Sequence, residues 1–216
     1  MENEISKLYC LFKKYKLARN FASRCSLFGK RQEVAGYLEK NALLYLELEP
    51  LAFYCCKAVY TMGSIDDLKH FLPRIIELMV TDPNWFSHPT DLFKKLKENG
   101  FEKWDVAEQK LIYEICEKFF ITYLNGQANG MLSTILEDFD ELFNLESFYE
   151  MWLSHANENA ISHFIVEAKY QNVPIDFYWK YIEKIEVMYL EATDIELKSK
   201  LEDFLDQHEK YLKDWY

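Results

Sequence analysis

Three features of this sequence point to an all-α fold of about ten helices, packed as an irregular stack of antiparallel hairpins. Apolar residues recur with a period close to 3.6 almost everywhere, and no alternating run has the period of 2 that a half-buried strand needs. Helix start and stop residues punctuate that pattern at short intervals. Half of the 216 residues are hydrophobic and 17% are aromatic, with only six Gly and five Pro. Such a chain can bury a core of ordinary density but lacks the turn residues of an all-β design, and it is not a disordered or low-complexity polymer. One domain over residues 1–216 is expected, with short loops setting neighbouring helices antiparallel.

The first helix is expected over 4–21, where Leu8, Leu11, Phe12, Tyr15 and Ala18 share a face. A second, over 32–48, carries Leu38, Leu43, Leu44, Leu46 and Leu48 and is stopped by Pro50; a third comes over 51–62. Ser64 with Asp67 resembles a capping arrangement at the head of a helix over 65–81, which Asp82-Pro83 ends. His88-Pro89 and Asn99-Gly100 bracket a helix over 90–98. Asp105 and Glu108 form a capping-box variant before a helix over 105–124, closed by Asn125-Gly126. Beyond Asn129-Gly130 come helices over 131–143, 145–154 and 157–170. Val173-Pro174 then separates these from helices over 175–191 and 194–214.

The helix over 65–81 has a proline, Pro73, in its middle, where it removes a backbone donor and kinks the rod. The run Asp66-Asp67-Leu68-Lys69-His70-Phe71-Leu72-Pro73-Arg74-Ile75-Ile76-Glu77-Leu78-Met79, with Asp82 beyond it, resembles the first helix of a HEAT-type repeat. In such a helix a Pro precedes an apolar pair and an Asp stands past the end. Taken from Gly63 to Arg74, the segment also resembles one shared by a loose group of uncharacterised bacterial helical proteins. The resemblance implies an irregular HEAT-like stack and carries no activity; no second Pro stands at a repeat spacing.

Charge is distributed unevenly. Between Glu4 and Glu33 the chain carries Lys7, Lys13, Lys14, Lys16, Arg19, Arg24, Lys30 and Arg31 and no acid, yet the whole protein is at −11. From residue 33 onward, 34 acids face 17 Lys and Arg, so the body is near −17. The basic segment, about 4–31, is expected to pack on the acidic body 32–216, with a peripheral membrane or nucleic-acid adaptor, meeting anionic lipid or phosphates through residues 7–31, as the alternative. Nucleic acid is not the expected partner: arginine, the best-shaped side chain for bidentate recognition, is supplied only by Arg19, Arg24, Arg31 and Arg74, and the body repels a duplex.

Chemistry-bearing patterns are few. His163 and Glu167 stand at i, i+4, with His155 and Glu158 upstream, and these four are the candidates for a metal-dependent or hydrolytic site. No CxxC, HExxH, EF-hand, Gly-x-Ser-x-Gly or phosphate-loop spacing accompanies them, and neither metal nor cofactor is expected. Cys10, Cys25, Cys55, Cys56 and Cys116 are irregularly spaced and expected as buried free thiols. Trp85, Trp104, Trp152, Trp179 and Trp215 are expected mostly as core wedges.

One helix stands out for binding. Over 131–143, Leu132, Ile135, Leu136, Phe139, Leu142 and Phe143 mark the core face, which leaves Glu137, Asp138, Asp140 and Glu141 on the wet side, joined by Glu146 and Glu150 of the next helix. Crowded carboxylates repel, and a basic partner relieves them. With no apolar start and no run of roughly 20 apolar residues, a soluble cytoplasmic protein is expected. The reading is a non-catalytic module of immunity or inhibitor type that binds a basic partner such as a toxin.

Overall fold

The fold is all-α. The computed structural model describes residues 1–25, 29–85, 91–128, 131–155, 157–170, 172–191, 193 and 195–213. Among them lie twelve α-helices and no strand: α1 (Glu2–Phe12), α2 (Phe21–Arg24), α3 (Lys30–Lys40), α4 (Leu48–Lys57), α5 (Ile65–Thr81), α6 (Leu92–Glu98), α7 (Val106–Leu124), α8 (Leu132–Asp140), α9 (Glu146–Ser154), α10 (Glu158–Lys169), α11 (Ile175–Glu191) and α12 (Ile195–Lys213). Short 3₁₀ turns occupy Leu43–Tyr45 and Phe101–Lys103. The expected stops at His88-Pro89 and Asn129-Gly130, and Trp215, lie outside the described residues. Contacts group the chain into two units, Met1–Cys116 and Glu117–Tyr216, divided within α7.

In the first unit α5 is the central rod, in contact with α1, α4 and the Leu43–Tyr45 turn. Its start is the expected capping box: Ser64 N and Oγ donate to Asp67 Oδ2 at 2.8 and 2.7 Å, and Asp67 N donates to Ser64 Oγ at 3.4 Å. Gly63 precedes it at φ +76°, where a Cβ would stand 2.8 Å from the Phe21 ring, so both backbone and packing call for glycine. Leu68, Phe71, Leu72, Ile75 and Ile76 are wholly buried, and the Phe71 ring meets Tyr54 at 4.9 Å and Phe21 at 5.6 Å. Pro73 is accommodated inside the continuous helix.

Three expected boundaries move. The helix expected over 32–48 stops at Lys40, and α4 starts at Leu48 with Pro50 as its third residue. The N–H groups of a first turn have no intrahelical partner, so a proline there costs no hydrogen bond. The helix expected over 4–21 ends at Phe12, because tertiary partners claim the residues beyond it. Tyr15 donates its hydroxyl to Glu108 Oε1 at 2.7 Å, its carbonyl is 3.1 Å from His70 Nδ1, and Ala18 N donates to Asp67 Oδ1 at 2.9 Å. The helix expected over 131–143 ends at Asp140, leaving Leu142 and Phe143 half-buried beyond it.

The expected role of Glu108 in capping α7 is also corrected. Asp105 alone caps, accepting from Ala107 N at 2.8 Å, and the Glu108 carboxylate turns inward with no exposed side-chain surface. It takes Lys14 Nζ at 2.7 Å and Lys69 Nζ at 3.2 Å. The Lys69 ammonium sits 3.7 Å from the Trp104 ring centroid and donates to the Tyr15 hydroxyl at 3.0 Å. Lys14 is the one member of the basic set paired with a carboxylate among the described residues. Lys7, Lys13, Lys16, Arg19 and Arg24 are exposed.

In the second unit α8 contacts α10, α10 contacts α12, α9 contacts α11 and α11 contacts α12. Aromatic rings fill its core. Phe164 stacks on Tyr181 at 4.2 Å, and Trp152, fully buried, touches the rings of Phe120, Phe164, Phe177 and Tyr181 while donating Nε1–H to the Ala160 carbonyl at 2.9 Å. Trp85 and Trp152 are core wedges and Trp104 is nearly so, but Trp179 is 43% exposed. None of the five cysteines is in a disulfide; Cys25, Cys55 and Cys116 are buried as expected, whereas Cys10 is exposed and Cys56 half-buried. Among the described residues no helix is long and apolar enough to cross a membrane.

Candidate functional site

The acidic face is built on α8. Leu132, Ile135, Leu136 and Phe139 are buried, so helical geometry sends Glu137 and Asp140 to solvent, with Asp138 and Glu141 half-buried beside them. Glu137, Asp138 and Asp140 fall in the last turn of α8 and Glu141 is its C-cap, with no base in that turn. Its C-terminus already carries the negative end of the backbone dipole, so these charges oppose both one another and the helix.

Glu137 and Asp140 border a depression of about 410 Å³ whose other walls include Ser133, Leu136, Tyr149 and Pro174. The Tyr149 phenol is pushed up to about 12, chiefly by burial and then by the Asp140 and Glu167 carboxylates. It therefore stays a neutral donor with an aromatic face beside two acids. Glu146 and Glu150 are also exposed but do not line this depression. Glu150 instead stands 3.5 Å from Lys180 on α11, both well exposed. The structure thus gathers Glu137 and Asp140 around Tyr149 and sets Glu150 apart.

The His and Glu residues expected as a possible metal or hydrolytic set are not brought together. His155 caps the end of α9, its Nδ1 3.0 Å from the Met151 carbonyl. Glu158, in the first turn of α10, pairs with Lys200 of α12. His163, buried, approaches the Tyr123 carbonyl with Nε2 at 3.1 Å; a carbonyl only accepts, so Nε2 carries the proton. Burial holds this imidazole below its ordinary value, outweighing the backbone carbonyl that favours its charged form. Among the described residues no group of three or more His, Cys, Asp or Glu is placed to hold a metal ion.

Glu167 has a different task. Its Oε1 accepts from the backbone N–H of Leu132 at 3.1 Å and of Ser133 at 3.3 Å, and Oε2 accepts from Asn172 Nδ2 at 2.9 Å. A buried carboxylate from α10 thereby caps α8, which lacks a side-chain cap of its own. Glu167→Ala should destabilise the protein by about 1–2 kcal/mol, the value of a strong cap, and the loss should be the same with or without Zn²⁺ in a thermal melt. A metal-dependent loss would return Glu167 to the ligand set. Tyr149, Asn172 and this capping role carry no signal in the sequence, because each is defined by a contact between helices. Compared with family models, curated proteins and solved structures, the chain matches none.

Proposed function

We propose that this chain is a non-catalytic protein-binding module of immunity or inhibitor type, on a HEAT-like scaffold and acting in the cytoplasm, that receives a basic partner such as a toxin on the α8–α9 face. The observation that carries it is the placement of Glu137, Asp138, Asp140 and Glu141 at the end of α8, where the helix dipole disfavours acids and no base lies in the last turn. Glu137 and Asp140, both exposed, hold negative charge toward solvent where a cationic partner would relieve it. The Tyr149 ring beside Glu137 and Asp140 offers a flat surface and two carboxylates to an arginine or lysine side chain.

The enzyme reading on His155, Glu158, His163 and Glu167 stands behind this one, since each of the four is engaged by a different part of the fold. A peripheral adaptor using residues 7–31 against anionic lipid or phosphate is the second reading, favoured by the exposed Lys7, Lys13, Lys16, Arg19 and Arg24.

Replacing Glu137 and Glu141 by Gln and Asp138 and Asp140 by Asn should keep the fold, because none of the four lies on the buried apolar stripe of Leu132, Ile135, Leu136 and Phe139. Association with the basic protein that co-purifies from the source cell should slow, and the wild type should lose more on-rate with added salt than the variant. Surface plasmon resonance across a salt series measures both. Equal on-rates at low salt would move the docking surface elsewhere.

A further inference from the structure

A second, oppositely charged site lies in the first unit. Where the chain leaves α1 and crosses α5 it borders a cavity of about 310 Å³ that opens to solvent, at the small end of the range for ligand pockets. Tyr9 and Phe12 of α1, Leu43 of the 3₁₀ turn and Pro73 of α5 give it an apolar and aromatic wall. His70 contributes the polar point. Its Nδ1, 3.1 Å from the Tyr15 carbonyl, must donate, which leaves Nε2 of the neutral ring as an acceptor.

The rim is cationic. Lys13 and Lys16 both line the cavity and are exposed, and among the described residues neither has a carboxylate within salt-bridge distance, unlike Lys14, which Glu108 holds. The acid attached to this wall is already matched: Glu77 Oε2 accepts from Tyr9 at 2.6 Å and from Arg74 Nη1 at 2.7 Å. In a protein at −11, an aromatic-walled cavity with two unneutralised ammonium groups at its mouth reverses the local field.

We propose that this cavity binds a small aromatic anion, with its flat apolar body against Phe12, Leu43 and Pro73 and its carboxylate or phosphate between Lys13 and Lys16. Lysine serves either anion as a point charge, and the rings supply the apolar contact that distinguishes such a ligand from inorganic anions. The proposal is independent of the acidic face on α8, which belongs to the other unit and takes the opposite charge.

Titration calorimetry on the full chain at low salt, with phenyl phosphate, benzoate and the neutral benzyl alcohol, tests it. Either anion should bind saturably and benzyl alcohol far more weakly; the tighter anion names the group. Lys13→Gln with Lys16→Gln should weaken binding about tenfold, the effect of two partly exposed charge contacts, while Lys7→Gln, an exposed base of α1 outside the cavity, should leave it unchanged. Circular dichroism should find both variants folded, since all three side chains are exposed. Cys10, the exposed thiol on the cavity lining, should be alkylated more slowly by iodoacetamide when phenyl phosphate is bound, with Cys56 as the internal reference. Absence of saturable binding by both anions, equal affinity in the double variant, or an unprotected Cys10 in the presence of bound anion would each overturn the proposal.

Discussion

Glu108→Ala should cost about 3–5 kcal/mol of stability, the range for removing one partner of a buried ion pair. The carboxylate has no exposed surface and is the shared acceptor of Lys14, Tyr15 and Lys69. Without it the Lys69 ammonium, whose side chain is 10% exposed, is left under the Trp104 ring with only the Tyr15 hydroxyl. Lys14 simply returns to water. The combined change Glu108→Leu and Lys69→Met should cost less than Glu108→Ala alone, because the penalty lies in an uncompensated buried charge, not in the loss of attraction. Urea unfolding of the wild type and both variants decides it: a double variant as unstable as the single one would assign the loss to packing.

The same residue sets a pH dependence. Burial pushes the Glu108 carboxyl up, but hydrogen bonds from Lys14, Tyr15 and Lys69 together outweigh it and hold the group below its ordinary value. A depressed folded value means that the stabilisation is present above the unfolded carboxylate value, about 4.3, and is lost as pH falls through the folded value. Wild-type stability should therefore decline below about pH 5 more steeply than that of Glu108→Gln, in urea titrations at stepped pH. Parallel curves would remove Glu108 from the account of acid sensitivity.

Trp152→Ala should cost the second unit about 3–5 kcal/mol, the range for removing a large aromatic from a packed core. The indole is fully buried and is ringed by Phe120, Phe164, Phe177 and Tyr181, whose centroids stand 5.2–6.4 Å away. Neighbouring rings cannot collapse into so large a void without leaving their own contacts. Trp152→Phe should cost less, since most ring contacts survive and the Nε1–H donation to Ala160 is what goes. Urea unfolding with near-ultraviolet circular dichroism measures both, and a Phe variant as unstable as the Ala variant would place the energy in the hydrogen bond.

Much of the helical order is legible in the chain because its rules are local. Ser64 and Asp67 are three residues apart, and the box they form is fixed by the backbone between them. The apolar face of α8 arises from Leu132, Ile135, Leu136 and Phe139 falling on one side of a 3.6-residue turn. The same rule places Glu137 and Asp140 outward. Pro50 reads as a stop in the sequence and is instead part of a first turn, because the penalty for proline depends on where a helix begins, and that beginning is set by packing around Leu51 and Tyr54.

Where each polar group finds its partner is a matter of tertiary packing. Glu108 and the Ser64–Asp67 pair look alike as capping signals, yet Glu108 leaves the cap for Lys14, Lys69 and Tyr15, the last of them 93 residues away in sequence. His163 and Glu167 share a helix face, but one meets a carbonyl of α7 and the other the head of α8. Helix periodicity, the capping box and the net charge of each stretch are readable from the chain alone, because these depend on residues within about one turn or on simple counts. The buried ion cluster, the cap on α8 and the cationic cavity beside α1 exist only once the helices are assembled, because a buried charge takes whichever partner the packing brings within hydrogen-bond reach.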